Sequence, residues 1–306
     1  MKNPLQPLLD ARAAVLLDGA MATELERRGA ELASHLWSAR LLLDAPEAIA
    51  AVQRDYLEAG ADVLCSVTYQ ASRQGFARAG LSEAEADALL TRGVASTREV
   101  VKGRALVAAS LGPYGAVLAD GSEYSGDYPL SEEALADFHR PRVKAALEGQ
   151  PDLVLFETIP SEVEARAILR LCAEWTAVPF VVTFSTRDEA HVAHGERFAD
   201  AARLVAGARN VLAVGVNCLP PERVVPLLAS ARGLRVPLVA SPNSGETWEA
   251  STRRWVGSPV GDFSALVSRY LEAGARVVGG CCRTRPSDIA AARRIIDAST
   301  VHGASG

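Results

Sequence analysis

The sequence predicts an α/β protein, a single (β/α)8 barrel domain covering residues 1–306. Three observations predict it. Eight short runs rich in valine, leucine and alanine recur along the chain. The runs are continuously apolar rather than alternating, as strands of a parallel sheet buried on both faces should be. The segments between them carry helical patterning, and eight β-then-α units in 306 residues suit a closed barrel. The rival, a doubly wound open sheet, wants a G-x-G-x-x-G loop after an early strand, and LDGAMATEL has the wrong spacing.

The expected strands are AVLLDG (14–19), ADVLCSVT (61–68), ALVAASLGP (105–113), DLVLFETIP (152–160), FVVTFST (180–186), LAVGVNC (212–218), PLVASPN (237–243) and ARVVGGCC (275–282). Between the first two, residues 46–61 read as a helix with proline at its first position and glycine near its end. Residues 112–129, rich in glycine, are expected to form the loop after the third strand and a cover over the active face. Residues 131–150 begin with a helix-start composition, and Pro141 is placed to kink or split that helix. Residues 263–275 end in the same EAGA phrase as 46–61, a helix exit into a strand. The tail from Ser299 is expected to fray.

Composition excludes several classes. Net charge is −5 and no basic run stands out, which argues against a nucleic-acid surface. Arg253-Arg254 and Arg293-Arg294 are only pairs, as solvated helix faces carry. No stretch of about 18 uncharged apolar residues predicts a membrane span. The N-terminal segment has prolines and charges where an export signal needs an apolar core, so the cytoplasm is the expected compartment. Five cysteines in a chain this long do not make a disulfide framework; clustered thiols then point to metal or catalysis.

Polar residues close the apolar runs, where barrel enzymes build their sites. Asp18 closes the first, Ser66 and Thr68 the second, Glu157 the fourth, Asn217 and Cys218 the sixth, Asn243 the seventh, Cys281 and Cys282 the eighth. Cys218 with Cys281 and Cys282 could hold one soft metal ion and leave a fourth position open, the mark of a catalytic rather than a structural zinc site. Gly279-Gly280 permits a turn that lets both adjacent cysteines face one ion. Core packing and a redox pair at Cys281-Cys282 are the other readings of these residues. Cys65 and Cys172 read as small core residues. Three thiolates against a divalent ion activate water poorly, but suit a substrate thiol that enters the open position and loses its proton. Such a thiolate is a nucleophile at neutral pH, and an activated methyl group is its natural electrophile. Asp18 and Glu157 form a carboxylate pair suited to the ammonium of an amino acid. Asp18 is also placed to cap the following helix. His191 and His194 read as surface histidines.

Taken together, LDGAMATEL (17–25), LWSARLLL (36–43), TYQAS (68–72), FETIP (156–160), GVNC (215–218), SPNSGE (241–246) and GGCCRT (279–284) resemble the zinc-dependent homocysteine S-methyltransferase family. The resemblance spans nearly the whole chain, and GVNC followed by GGCCRT is its specific part. It implies Zn2+ on Cys218, Cys281 and Cys282, with homocysteine sulfur completing the shell. It implies that Asp18 and Glu157 hold the homocysteine amino group, that Ser66 and Thr68 lie near its carboxylate, and that Asn217 orients the loop or offers its oxygen to zinc. The expected partners are two small molecules, homocysteine and a methyl donor. LWSARLLL and TYQAS look most like the S-methylmethionine users; S-adenosylmethionine and betaine are the alternatives, as is a non-catalytic thiol-binding or metal-binding module. Betaine would want an aromatic cage, for which Trp37 and Tyr69 are the candidates. The short C-terminal region favours a monomer or small homo-oligomer.

Overall fold

The structure is a computed structural model that describes residues 2–30, 41–42, 44–249, 254–259 and 261–303. Trp37, Arg253 and most of LWSARLLL lie outside the described residues. Eight strands form one sheet: β1 Val15–Leu16, β2 Val63–Cys65, β3 Leu106–Leu111, β4 Leu153–Ile159, β5 Phe180–Phe184, β6 Val211–Asn217, β7 Leu238–Ser241 and β8 Ala275–Val278. Their order is β1-β8-β7-β6-β5-β4-β3-β2, with every pairing parallel. A parallel bridge between Leu17 and Val63 joins the two ends of that order. Hydrogen bonds from Asp18 N to Val63 O (3.1 Å) and from Asp62 N to Leu16 O (2.7 Å) close the barrel.

Closure explains why the runs are apolar throughout. Val15, Leu17, Val63, Leu155, Val181 and Val239 point inward and share one buried cluster. Leu16, Leu64, Val154, Val182 and Val214 point outward, against the helices. A strand with helix on one face and barrel interior on the other has no solvent side for a polar residue to occupy. The helix Gln6–Ala11 and the residue before it add Leu9 and Leu5 to the inner cluster.

The outer helices start on residues that satisfy free amide groups. Ser82 forms a reciprocal capping box with Glu85, and Ser131 and Ser161 each accept from the amide three residues on. The expected helix 46–61 spans Pro46–Glu58 and the expected helix 263–275 spans Phe263–Glu272. The third residue of each EAGA phrase is a left-handed glycine, Gly60 at φ 94 and Gly274 at φ 102. Pro141 neither splits nor ends its helix, which runs unbroken over Glu132–Glu148. The carbonyl that Pro141 leaves without an amide belongs to Asp137, an exposed residue that water reaches.

Two further features depart from expectation. The tail does not fray at Ser299: the last helix continues through Pro286–Gly303. Thr300 Oγ1 ties it to the barrel by accepting from Ala13 N at 2.9 Å. After β7 the chain inserts an antiparallel hairpin, Thr247–Glu249 with Arg254–Val256, too short for periodicity to signal. No helix among the described residues is long and apolar enough to cross a membrane.

Candidate metal centre and active site

The carboxyl ends of the strands surround a cavity of about 230 Å³. That is smaller than the roughly 300–1,000 Å³ of drug-sized pockets and suits compounds of amino-acid size. Asp18, Ser66, Glu157, Asn217, Cys218, Cys281 and Cys282 all line it.

The sulfur atoms of Cys218, Cys281 and Cys282 lie within 4.8 Å of one another, the only cluster of metal-binding type among the described residues. Cys218 Sγ and Cys282 Sγ are 3.6 Å apart. A tetrahedral ion with Zn–S bonds of about 2.3 Å needs sulfurs separated by about 3.8 Å, so the donor set fits such an ion. Local backbone fixes the arrangement. Cys218 sits in the left-handed region at φ 55, which turns its sulfur off the end of β6. Cys218 N donates to Ser241 O (3.0 Å), Cys281 N to Pro242 O (2.7 Å), and Ser244 N to Cys282 O (3.0 Å). The SPNSGE phrase is therefore the bracket of the cysteine pair. Its Glu246 also holds Arg283 in an ion pair at 2.9 Å.

The glycines of GGCC serve close approach rather than a positive-φ turn. A Cβ on Gly279 would meet Leu17 Cβ at 2.7 Å, and one on Gly280 would meet Thr284 Oγ1 at 2.3 Å. The left-handed residue there is Arg283, at φ 68. Gly215 of GVNC is needed for the same reason: its Cβ would lie 2.0 Å from Val239 O.

Electrostatics favour a cation at the cluster. Hydrogen bonds from Cys281 and Cys282 hold the Cys218 thiol well below its ordinary value, and the Tyr124 hydroxyl adds a third. The same coupling, with burial, pushes Cys281 and Cys282 up. Cys218 is thus the thiol of the three that gives up its proton most readily.

Asp18 is 4% exposed and accepts from Cys65 N at 2.8 Å. Burial raises its carboxyl to about 7 against the lowering effect of Cys65. Glu157 accepts from the Ser110 hydroxyl and from Asn217 Nδ2 (3.3 Å), and burial again lifts it to about 7. Asn217 is the joint between β4 and β6. Its Oδ1 accepts from Thr158 N and Thr183 Oγ1, both at 2.7 Å, and its Nδ2 also donates to Thr158 Oγ1 (2.9 Å). Both lone pairs of Oδ1 are used inside the protein, which favours orientation of the loop over donation to an ion. These bonds hold Thr158, a β-branched residue, at φ 64 beside Glu157.

Thr68 does not line the cavity. It is fully buried, and its hydroxyl donates to Ser110 O (2.7 Å), leaving its oxygen to meet Ser66 Oγ at 2.6 Å. Ser66 Oγ in turn accepts from Ser110 N (3.1 Å). Cys172 is buried in the outer core as expected; Cys65 packs against the inner cluster and also lines the cavity beside Asp18. His191 and His194 pair with Asp188 (2.9 Å) and Glu196 (3.1 Å) away from the cavity.

The loop after β3 covers the active face, and it brings residues that strand-end reasoning missed. It contains the helix Tyr114–Leu118 and the 3-10 turn Ser122–Tyr124. Ser185 Oγ anchors the turn through Glu123 O (2.9 Å). Glu123 and Tyr124 line the cavity, and Tyr124 reaches the Cys218 sulfur. A glycine-rich stretch gives no periodic signal to place either side chain.

A parallel barrel with three thiols and two buried carboxyls converging at its strand ends defines an enzyme with a thiolate metal site. The chain matches the family described as homocysteine S-methyltransferase over residues 15–296, and it belongs to that family. It is 42% identical over 301 residues to the homocysteine S-methyltransferase YbgG of Bacillus subtilis, covering 94% of this chain and 96% of the relative. It is 44% identical to the homocysteine S-methyltransferase of Escherichia coli, covering 94% and 97%. A selenocysteine Se-methyltransferase of Brassica oleracea is 41% identical, covering 90% and 87%. The crystal structure of metallated MmuM, the homocysteine methyltransferase of Escherichia coli, superposes with a TM-score of 0.87 at 42% identity, covering 95% of this chain and 99% of that one.

Proposed function

We propose that this chain transfers a methyl group from S-methylmethionine to the sulfur of homocysteine, giving methionine from both molecules, with zinc held by Cys218, Cys281 and Cys282. One observation carries the reading: three converging sulfurs share a small cavity with two buried carboxyls, in a chain of this family. Zinc, when bound, supplies the Lewis acidity that keeps an incoming thiol ionised at neutral pH.

Asp18 and Glu157 hold the homocysteine ammonium. Both carboxyls are raised to about 7 by burial without a cation beside them. An ammonium there would restore their charge and fill their lone pairs. Ser66 lies at the carboxylate end of homocysteine, and Thr68 acts behind it by fixing the direction of its hydroxyl. Asn217 keeps Glu157 in place. In the transfer, a lone pair of the homocysteine thiolate attacks the donor methyl carbon. The new S–C bond forms as the donor's C–S bond breaks, and that electron pair returns to the donor sulfur. The positive sulfonium and the negative thiolate both become neutral thioethers. The protein's part is alignment of the two sulfurs and exclusion of water.

Selenocysteine is a second acceptor in this reading, supported by the Brassica relative. The site of action is the cytoplasm, supported by five unpaired thiols, and the working unit is a monomer or small homo-oligomer. The test is a panel of S-methylmethionine, S-adenosylmethionine and betaine with homocysteine, with and without a zinc chelator. S-methylmethionine should give the highest kcat/KM, and chelation should abolish turnover. A higher kcat/KM with either other donor would replace the donor assignment. Cys281→Ser should lose both bound zinc and methionine formation; a variant retaining full zinc and full activity would overturn the metal site.

A further inference from the structure

The cavity wall carries two further polar side chains that the assignments above leave unused. Among the described residues, two buried side-chain acceptors on its wall have no hydrogen-bond partner: Gln70 Oε1 and Glu123 Oε2. Gln70 is 6% exposed, and its Nε2 donates to Ala116 O at 3.1 Å. That bond fixes which way the amide faces, so Oε1 is a committed acceptor. Ala116 belongs to the same covering loop as Glu123. The Glu123 backbone is held by Ser185, and a Cβ at Gly115 would strike Glu123 N at 2.5 Å, so the loop packs closely where Glu123 leaves it. A buried acceptor without a donor costs about 1–3 kcal/mol, and a carboxylate costs more, unless a ligand supplies the donor.

From these residues, and resting on the methyl-transfer reading above, we infer that Gln70 and Glu123 receive the α-ammonium of the methyl donor. Two acceptor oxygens call for N–H groups. A sulfonium amino acid carries them on its ammonium, whereas a quaternary ammonium such as betaine has none to give. The aromatic rings of Tyr69 and Tyr124 line the same cavity and suit the sulfonium itself, a cation without hydrogen-bond donors. The cavity thus divides its cation-holding groups: Asp18 and Glu157 serve the acceptor amino acid, Gln70 and Glu123 the donor. The donor class follows as an α-amino acid sulfonium.

The test compares S-methylmethionine with its des-amino analogue, dimethylsulfoniobutanoate, on wild type, Glu123→Gln and Gln70→Leu, with homocysteine as acceptor. Wild type should prefer S-methylmethionine. In Glu123→Gln that preference should fall by about tenfold or more, the effect of one charged hydrogen bond, while the analogue's kcat/KM is unchanged. Gln70→Leu should lose less of it, as a neutral acceptor does. Calorimetric Kd for S-methylmethionine should rise in step, with homocysteine KM and bound zinc unchanged. Equal losses on both donors would mean that Glu123 reads the sulfonium and would overturn the assignment. A raised homocysteine KM with unchanged donor preference would overturn it in favour of the acceptor side. Wild type that turns over S-methylmethionine while Glu123→Gln keeps the full preference would overturn this inference alone. Wild type inactive with S-methylmethionine would overturn the donor reading and this inference with it.

Discussion

Tyr124 places its hydroxyl 3.0 Å from the Cys218 sulfur, across 94 residues of sequence. The ring is carried by the loop after β3, and the residue as a whole remains 47% exposed. Its hydroxyl nonetheless serves the buried cluster, and its hydrogen bond helps to hold the Cys218 thiol below its ordinary value. A hydrogen bond to a ligand sulfur withdraws charge from it and fixes its direction, and such outer contacts are typically worth 10–100-fold in metal affinity. Tyr124→Phe should therefore bind zinc about tenfold more weakly, with an unchanged unfolding transition because an exposed ring contributes little to the core. Competition against a chromophoric chelator measures this. Equal zinc affinity in the two proteins would show that the hydroxyl merely rests against the sulfur.

Asn217 joins two strands through one carboxamide, and removing it isolates the buried Thr158 amide. Asn217→Ala should cost about 1–3 kcal/mol of stability, the range for an orphaned buried donor. Glu157 would also lose one of its two side-chain partners, so homocysteine KM should rise by about tenfold while zinc content holds. Urea unfolding and steady-state kinetics read the two effects separately. An unchanged KM would remove Asn217 from the positioning of Glu157.

The eight strands were legible because both their faces are buried, which leaves an unbroken apolar run that solvent exposure cannot interrupt. The strand-end rule then located Asp18, Glu157, Cys218, Cys281 and Cys282, because a parallel barrel gathers those ends whatever the loops do. What was not legible depends on contacts between distant segments. Tyr124 and Glu123 reach the cavity only because Ser185 and Gly115 position their loop. The role of Glu246 is visible only once Arg283 lies beside it. Cys65 read as core because free cysteine usually packs there, and nothing in its sequence neighbourhood announces the Asp18 carboxyl that its backbone amide meets. Gly279 and Gly280 signalled something unusual correctly, but sequence could not distinguish left-handed backbone from a neighbour too close to admit a side chain.

The pH dependence of stability carries the mark of Asp18. In the folded protein its carboxyl keeps its proton up to about 7, whereas in the unfolded chain it ionises near 3.8. Between those values the folded state binds more protons, so stability falls as pH rises. The loss begins near the unfolded value and is complete once pH passes the folded one. Asp18→Asn cannot ionise and escapes this loss. Its stability relative to wild type should therefore improve from pH 4 to pH 7, by an amount on the order of 3 kcal/mol before relaxation reduces it. Thermal unfolding of both proteins at matched zinc, across that range, provides the measurement. A constant difference between them would mean that Asp18 is ionised in the folded state throughout. Saturating homocysteine should flatten the wild-type slope, because its ammonium would stabilise the charged form.

Among the described residues Arg142 is the largest fully buried side chain, and it stands behind the active face rather than in it. Its guanidinium donates to Ala71 O (2.8 Å), Gly112 O (2.7 Å) and Tyr69 O (2.8 Å), so one side chain ties the exit of β2 to the exit of β3. It also donates to His139 Nδ1 at 3.0 Å, which places the His139 proton on Nε2, facing Glu164 Oε1 at 2.8 Å. Glu164 completes the chain by accepting from Tyr114 N (2.7 Å) and from the Tyr128 hydroxyl, at the two ends of the covering loop. Burial lowers the guanidinium to about 10, which leaves it charged at neutral pH. Arg142→Met keeps most of the volume but strands three carbonyls. It should cost about 3–5 kcal/mol, seen as a Tm lower by roughly 10 °C. Arg142→Lys should recover little, because a single ammonium cannot span carbonyls that a planar fork reaches together. Below either Tm, donor KM should rise more than homocysteine KM, since the tethered loops carry Tyr69, Gln70 and Glu123 while Glu157 stands on β4 and Asp18 just beyond the end of β1. Equal rises in the two constants would show that Arg142 supports the barrel as a whole and not the donor side in particular.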